Sequence, residues 1–144
     1  MGGLFSGVVP IPGLLLCCLP VAAVLIYVPF VVVAIARFKA GYNASAPRAL
    51  FDQLPAYGQR ATWAHENSFE AFTLFAPAVL AAYVTGQDST LAIGAALAHL
   101  MGRALYSLFY ILDLPLLRSP MYAIAALGTF TLFALACSSA LGLP

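Results

Sequence analysis

The sequence predicts an all-α integral membrane protein: an up-down bundle of four spanning helices forming a single domain over residues 1–144. Three observations predict this. Apolar residues make up 63% of the chain and charged residues 8%, where soluble domains average about 45–50% and about 25%. Mean hydropathy is +0.98. The apolar residues also fall into four runs, each long enough to cross a hydrocarbon core of about 30 Å, separated by short polar breaks.

The first span is expected over residues 13–36. Met1–Pro12 before it is uncharged and rich in Gly and Pro, without the basic start of a secretory signal, so no cleaved leader is expected. Pro20 and Pro29 lie inside the span and are expected to kink it, as neighbouring helices in a membrane allow. Arg37–Gln59 is the one extended polar segment, with Arg37, Lys39 and Arg48 against a single acid, Asp52. Pro47 and Pro55 break any long helix there.

The second span is expected over 60–83, polar in its first three turns only. After the turn Thr85–Ser89, the third follows over 90–112 and carries His99, Arg103, Tyr106 and Tyr110. Asp113–Pro120 reads as the next break, and the uncharged fourth span, 121–141, as structural or lipid-facing. Basic residues in short loops mark the cytoplasmic side. Here they lie after the first and third spans, which places both termini on the opposite side.

Composition also excludes functions. A net charge of +1, from six Lys and Arg spread along the chain, gives no basic face for nucleic acid. Cys17, Cys18 and Cys137 sit in apolar runs without C-x-x-C spacing and read as packing residues. His65 and His99 lack supporting acids, and His65-Glu66 does not extend to H-E-x-x-H, so no metal site is expected. No Gly-rich phosphate loop or Ser-centred nucleophile motif is present. Trp63, Phe69, Phe72 and Phe75 read as packing or lipid contacts.

What remains is a pair of polar stripes. Arg60, Trp63, Asn67 and Glu70 share one helical face, and His99, Arg103, Tyr106 and Tyr110 share another. At about 1.5 Å per residue, Glu70 lies roughly 15 Å inward from Arg60, and Arg103 roughly 14 Å inward from the end near Leu112. Equal depth makes a Glu70–Arg103 ion pair available between adjacent helices or adjacent subunits. Ionisable groups at membrane depth mark functional sites by default. The inventory exceeds what one register-fixing ion pair needs. Arg, Asn, Glu and Tyr around a cytoplasm-facing cavity suit a small zwitterionic or anionic ligand, and Tyr or Arg can donate to a thiolate. A rival reading is a small transporter subunit relaying protons through Glu70 and His99.

The segment Arg60-Ala61-x-x-Ala64-His65-x-Asn67-x-x-Glu70-x-Phe72 resembles the second-helix motif of the MAPEG family, the membrane-associated proteins of eicosanoid and glutathione metabolism. Arg103, Tyr106 and Tyr110, followed by Arg118-Ser119, look like that family's third helix and the loop after it. The resemblance covers nearly the whole chain. It implies a homotrimer with glutathione held between subunits near the cytoplasmic side. By position it assigns Asn67, Glu70, Arg103, Tyr106 and Ser119 to glutathione, with Arg60 and His65 as further candidates from the same motif. The pair it assigns to thiolate activation falls on Arg118 and Ser119, and Arg118 with Tyr110 is expected to stabilise the thiolate.

The chain departs from the animal pattern at three positions. Trp63 and Glu66 stand where arginines are found, and Tyr106 stands where the prostaglandin-forming type has a His. The pattern looks more like the bacterial branch, which implies a bacterial inner membrane. The expected function is a membrane-bound glutathione-dependent transferase or peroxidase acting on lipophilic electrophiles. The alternative is a non-catalytic scaffold or lipid-binding member of the same fold.

Overall fold

A computed structural model of the chain describes residues 10–143. Four long helices carry it: α1 (Ile11–Lys39), α2 (Ala56–Val84), α3 (Thr90–Ile111) and α4 (Pro115–Ala140), with a short 3-10 turn at Pro47–Gln53 between the first two. At about 1.5 Å per residue, each exceeds the about 30 Å of a hydrocarbon core. All four are apolar enough to cross it. Side chains such as Val24, Met101, Leu127 and Phe130 remain more than half exposed, as lipid-facing residues do. The protein is an integral, multi-pass membrane protein. Most of the Met1–Pro12 segment lies outside the described residues, and α1 begins within its last three.

The helices run beyond the expected spans where proline was read as a break. Pro55, extended at φ −61° and ψ 155°, ends the loop and lets α2 start at Ala56. Its carbonyl accepts the first helical bonds, from Gly58 at 2.7 Å and Gln59 at 3.1 Å. The larger correction is at α4, which begins at Pro115 and not at residue 121. Pro115 fits the first turn, where its missing N–H has no helical partner to lose. Pro120 deprives only the Leu116 carbonyl of a bond, and Leu116 is 88% exposed. Arg118 and Ser119 therefore lie on the first turns of a helix, not in a loop.

α3 packs most extensively on α4, and α1 on α2. Two glycines make the α3–α4 approach possible. A Cβ on Gly102 would stand 2.9 Å from the Met121 carbonyl oxygen, and one on Gly128 would run into the Ala95 carbonyl. Small residues that bring backbones together are the usual means of helix association where no hydrophobic drive exists. The core beside this seam is closed by Leu15, Phe75, Ala78, Val79, Ala82 and Leu132, all fully buried.

One end of the bundle is tied across helices. Gln87 follows the left-handed Gly86 (φ 68°). Its side-chain amide donates to the Leu135 carbonyl at 2.9 Å and to the Ser139 hydroxyl. At the other end α3 stops on Asp113, a non-glycine residue at φ 61°. The Leu114 amide reaches back to the Phe109 carbonyl at 2.9 Å, closing the helix in the manner of a Schellman turn.

Candidate functional site

Arg103 is the centre of the polar end. It sits midway along α3 and is only 4% exposed. One terminal nitrogen donates to Asn67 Oδ1 at 2.9 Å, and the other to the Ser68 hydroxyl at 3.1 Å. Asn67 in turn donates through Nδ2 to Glu70 Oε2 at 3.0 Å. This fixes the Asn67 amide, because a guanidinium only donates and a carboxylate only accepts. Asn67 thus stands between the two charges, and the direct Glu70–Arg103 ion pair available from the sequence is not formed within the chain. Arg60–Asp113 is the sole ion pair among the described residues. Arg103 Nε, also buried, has no hydrogen-bond partner there. A buried guanidinium with a free donor and no carboxylate in contact is costly at this depth. An anion brought by a ligand would offset that cost.

From Arg103 a line of rings runs towards the start of α4. The Arg103 guanidinium lies 4.3 Å from the Tyr106 ring centre, and the Arg118 guanidinium 4.4 Å from that of Tyr110. Tyr106 and Tyr110 meet edge to face at 5.5 Å. Each cation over a ring face is an attractive contact that orients the guanidinium. The helical start of α4 is what aims Arg118 back at α3; Ser119 is tied down by its own hydroxyl, which donates to the Pro115 carbonyl at 3.1 Å.

Three adjoining cavities follow this line. One of about 290 Å³ is bordered by Asn67, Glu70 and Arg103 and walled by Leu74, Ala126 and Phe130. A second, about 390 Å³, lies among Trp63, Glu66, Asn67, Glu70 and the two tyrosines. The third, about 230 Å³, holds Tyr106, Tyr110, Arg118, Ser119 and Tyr122. They share lining residues pairwise and form one groove. Its walls are apolar at the deep end and cationic or phenolic towards the α4 start.

The structure thus brings together Asn67, Glu70, Arg103, Tyr106, Tyr110, Arg118 and Ser119. It does not bring Arg60 or His65 to them. Arg60 Nε donates to the Ile111 carbonyl at 3.1 Å, and its terminal nitrogen pairs with Asp113 at 3.4 Å, which clamps α2 to the end of α3. His65 faces α1: its Nδ1 lies 2.7 Å from the Ile26 carbonyl, and Phe30 and Phe69 pack on the ring at 5.0 and 5.1 Å. His99, the other half of a proton relay, is 3% exposed and stacked flat on Phe75 at 3.8 Å. Its Nδ1 lies 2.8 Å from the Thr129 hydroxyl and 3.1 Å from the Ala125 carbonyl, so it holds α3 to α4. Two residues escaped the sequence reading: Ser68, a partner of Arg103, and Tyr122, which lines the groove. Ser68 lies on the small-residue face of Ala61 and Ala64, and Tyr122 lies one turn after Arg118, a signal hidden while that segment read as a loop.

A comparison with protein families finds one match for this architecture and motif set: the family model described as the MAPEG family, over residues 14–138. Comparisons with curated proteins and with solved structures return no match.

Proposed function

The chain belongs to the MAPEG family, whose members are membrane glutathione transferases, peroxidases or related proteins, and from that premise we propose that it binds glutathione in this groove and adds its thiolate to lipophilic electrophiles. The observation that carries the reading is the uncompensated Arg103 beside the Asn67–Glu70 pair. Arg103, which has no carboxylate of its own, offers its positive charge to a ligand carboxylate, and Glu70, held by Asn67, offers an acceptor to the ligand's amine. Arg103 and Tyr110 are separated by about 10 Å of helix rise, close to the about 10 Å span of an extended tripeptide. A glutathione anchored at Arg103 would therefore reach the level of Tyr110 with its far end, and its central cysteine would lie along the tyrosine line, its sulfur turned toward Tyr110 and Arg118.

There the Arg118 guanidinium and the Tyr110 hydroxyl would stabilise the thiolate, its proton passing to water. The sulfur would attack the electrophilic carbon, forming a C–S bond as the leaving group departs with its electron pair. Holding the two reactants together supplies most of what such a step needs. The electrophile would reach that sulfur from the lipid side of the groove.

The assembly would be a homotrimer. Trp63, Glu70 and Thr73 form an exposed stripe along α2, and a carboxylate facing lipid at this depth needs cover that a second copy supplies. Arg37, Lys39, Arg48 and Arg118 lie at the groove end, and this basic bias supports a reading with that end in the cytoplasm and both termini across a bacterial inner membrane.

The test is a thiolate absorbance titration of the purified protein with glutathione, followed by turnover of a chlorodinitrobenzene. A thiolate signal that Arg118→Ala abolishes without loss of glutathione binding supports the roles given. One observation favours the scaffold reading. Trp63 closes its side of the groove with an apolar ring, 5.6 Å from Phe51 and 6.5 Å from Tyr110. Glutathione binding without a thiolate signal in the wild type would decide for it.

A further inference from the structure

On the neighbouring face of α2, between α1 and the Pro47–Gln53 turn, lies a second site, a cavity of about 490 Å³ that meets the groove only at Glu66, within the about 300–1,000 Å³ range of small-ligand sites. Arg37 and Arg48 line it. Among the described residues neither arginine has a carboxylate in ion-pair contact, and Arg37 Nε is buried without a hydrogen-bond partner. The groove's function does not involve either of them. His65, on the same wall, has its Nδ1 committed to the Ile26 carbonyl. One acid shares the lining, Glu66.

We propose that this cavity binds the headgroup of a zwitterionic phospholipid, its phosphate on Arg37 and Arg48 and its primary ammonium on Glu66. Three features point to this occupant. Planar guanidinium forks match phosphate oxygens, and basic pockets between spanning helices at the membrane surface are the usual place for lipid headgroups. Glu66 disfavours a headgroup of net negative charge and matches one that carries an amine. The cavity is also polar at one level and apolar at another. Arg37 stands in the last turn of α1, whereas Phe30, seven residues earlier, lies about 10 Å deeper. Phe30 and Phe69 line the cavity and are 37% and 43% exposed, so its apolar wall continues onto the outer surface of α1 and α2, where an acyl chain would run. A soluble anion has no use for that wall.

The experiment is native mass spectrometry of the full chain in detergent, titrated with a palmitoyl-oleoyl phosphatidylethanolamine, the matching phosphatidylglycerol, glycerophosphoethanolamine and inorganic phosphate. Phosphatidylethanolamine should be retained when bulk lipid is stripped, and its binding should weaken at least about tenfold in Arg37→Gln and in Arg48→Gln. Glu66→Gln should erase the preference over phosphatidylglycerol. Arg48 is exposed and makes no side-chain bond within the described residues, so its variant reads binding even if Arg37→Gln does not fold. Unchanged retention in Arg48→Gln would overturn the proposal. So would inorganic phosphate or the chain-free headgroup binding as tightly as the lipid, or equal retention of phosphatidylglycerol by the wild type. Displacement of the lipid by glutathione would assign the cavity to the thiol ligand instead. Glutathione binding measured on the same preparations by calorimetry keeps the two sites apart: loss of lipid with glutathione intact touches this inference alone.

Discussion

Gln87 and Arg103 are buried to a similar degree, at 8% and 4% exposed, yet their surroundings are opposite. Gln87 is closed on every side. Its amide nitrogen donates to Leu135 and Ser139, and its oxygen accepts from the Ser89 hydroxyl at 3.2 Å. No polar side-chain atom of Gln87 is left buried without a partner. Arg103 is bonded to Asn67 and Ser68 on one side only; it keeps an unpartnered donor, meets no carboxylate in contact, and borders a groove. A satisfied buried group locks helices together, while one left partly satisfied stores a demand that a ligand can meet. One end of the bundle is closed by satisfied polar groups; the other keeps an unsatisfied one beside a groove.

Substitutions can break that contrast, and the largest effect belongs to the packed seam. Gly128→Leu drives a side chain into the Ala95 backbone, and is expected to cost about 3 kcal/mol or more, or to prevent folding. Thermal unfolding in detergent and size-exclusion profiles measure it; a variant that melts like the wild type would mean α3 and α4 do not meet there. Next comes Arg103→Met. It should weaken glutathione binding by about 100-fold, in the range of about 2–5 kcal/mol for removing one member of a buried charge pair. It should change stability by no more than about 2 kcal/mol, the cost of leaving Asn67 and Ser68 without their partner.

Gln87→Ala should show the converse. Losing its cross-helix bonds is expected to lower stability by about 1–2 kcal/mol, while glutathione binding, followed by calorimetry, stays within twofold of the wild type. The smallest effect is expected at the Arg60–Asp113 pair, whose acid side chain is 70% exposed. Asp113→Ala should cost under about 1 kcal/mol in unfolding measurements, and a larger loss would mark that clamp as part of the cohesive machinery.

The contrast explains what could be read from the chain. The four spans were legible because apolar runs of that length have few other uses. The groove was legible where a stripe spacing coincides with an inward face: Asn67, Glu70, Arg103, Tyr106 and Tyr110 all meet. His65 failed for a geometric reason. At 3.6 residues per turn it points about 200° away from Asn67, which turns it to α1 and the Ile26 carbonyl. Arg60 shares the Asn67 face but lies two turns nearer the helix start, level with Ile111 and Asp113. His99 is one turn from Arg103, yet α4 approaches so closely at Gly128 that Thr129 and Ala125 claim it. Such partner choices depend on which backbone comes near, and periodicity carries no information about that. The start of α4 was missed because proline has two meanings, breaker inside a helix and starter at its first turn, and the flanking residues of Pro115 do not distinguish them.

The most direct measurement is glutathione binding by calorimetry to the detergent-purified wild type, Arg103→Met and Gln87→Ala, side by side with their melting temperatures. The account predicts saturable binding in the wild type and in Gln87→Ala, the latter with a lowered melting temperature, and binding weakened by about 100-fold in a folded Arg103→Met. Equal binding in Arg103→Met, or no binding to a folded wild-type protein at millimolar glutathione, would contradict it.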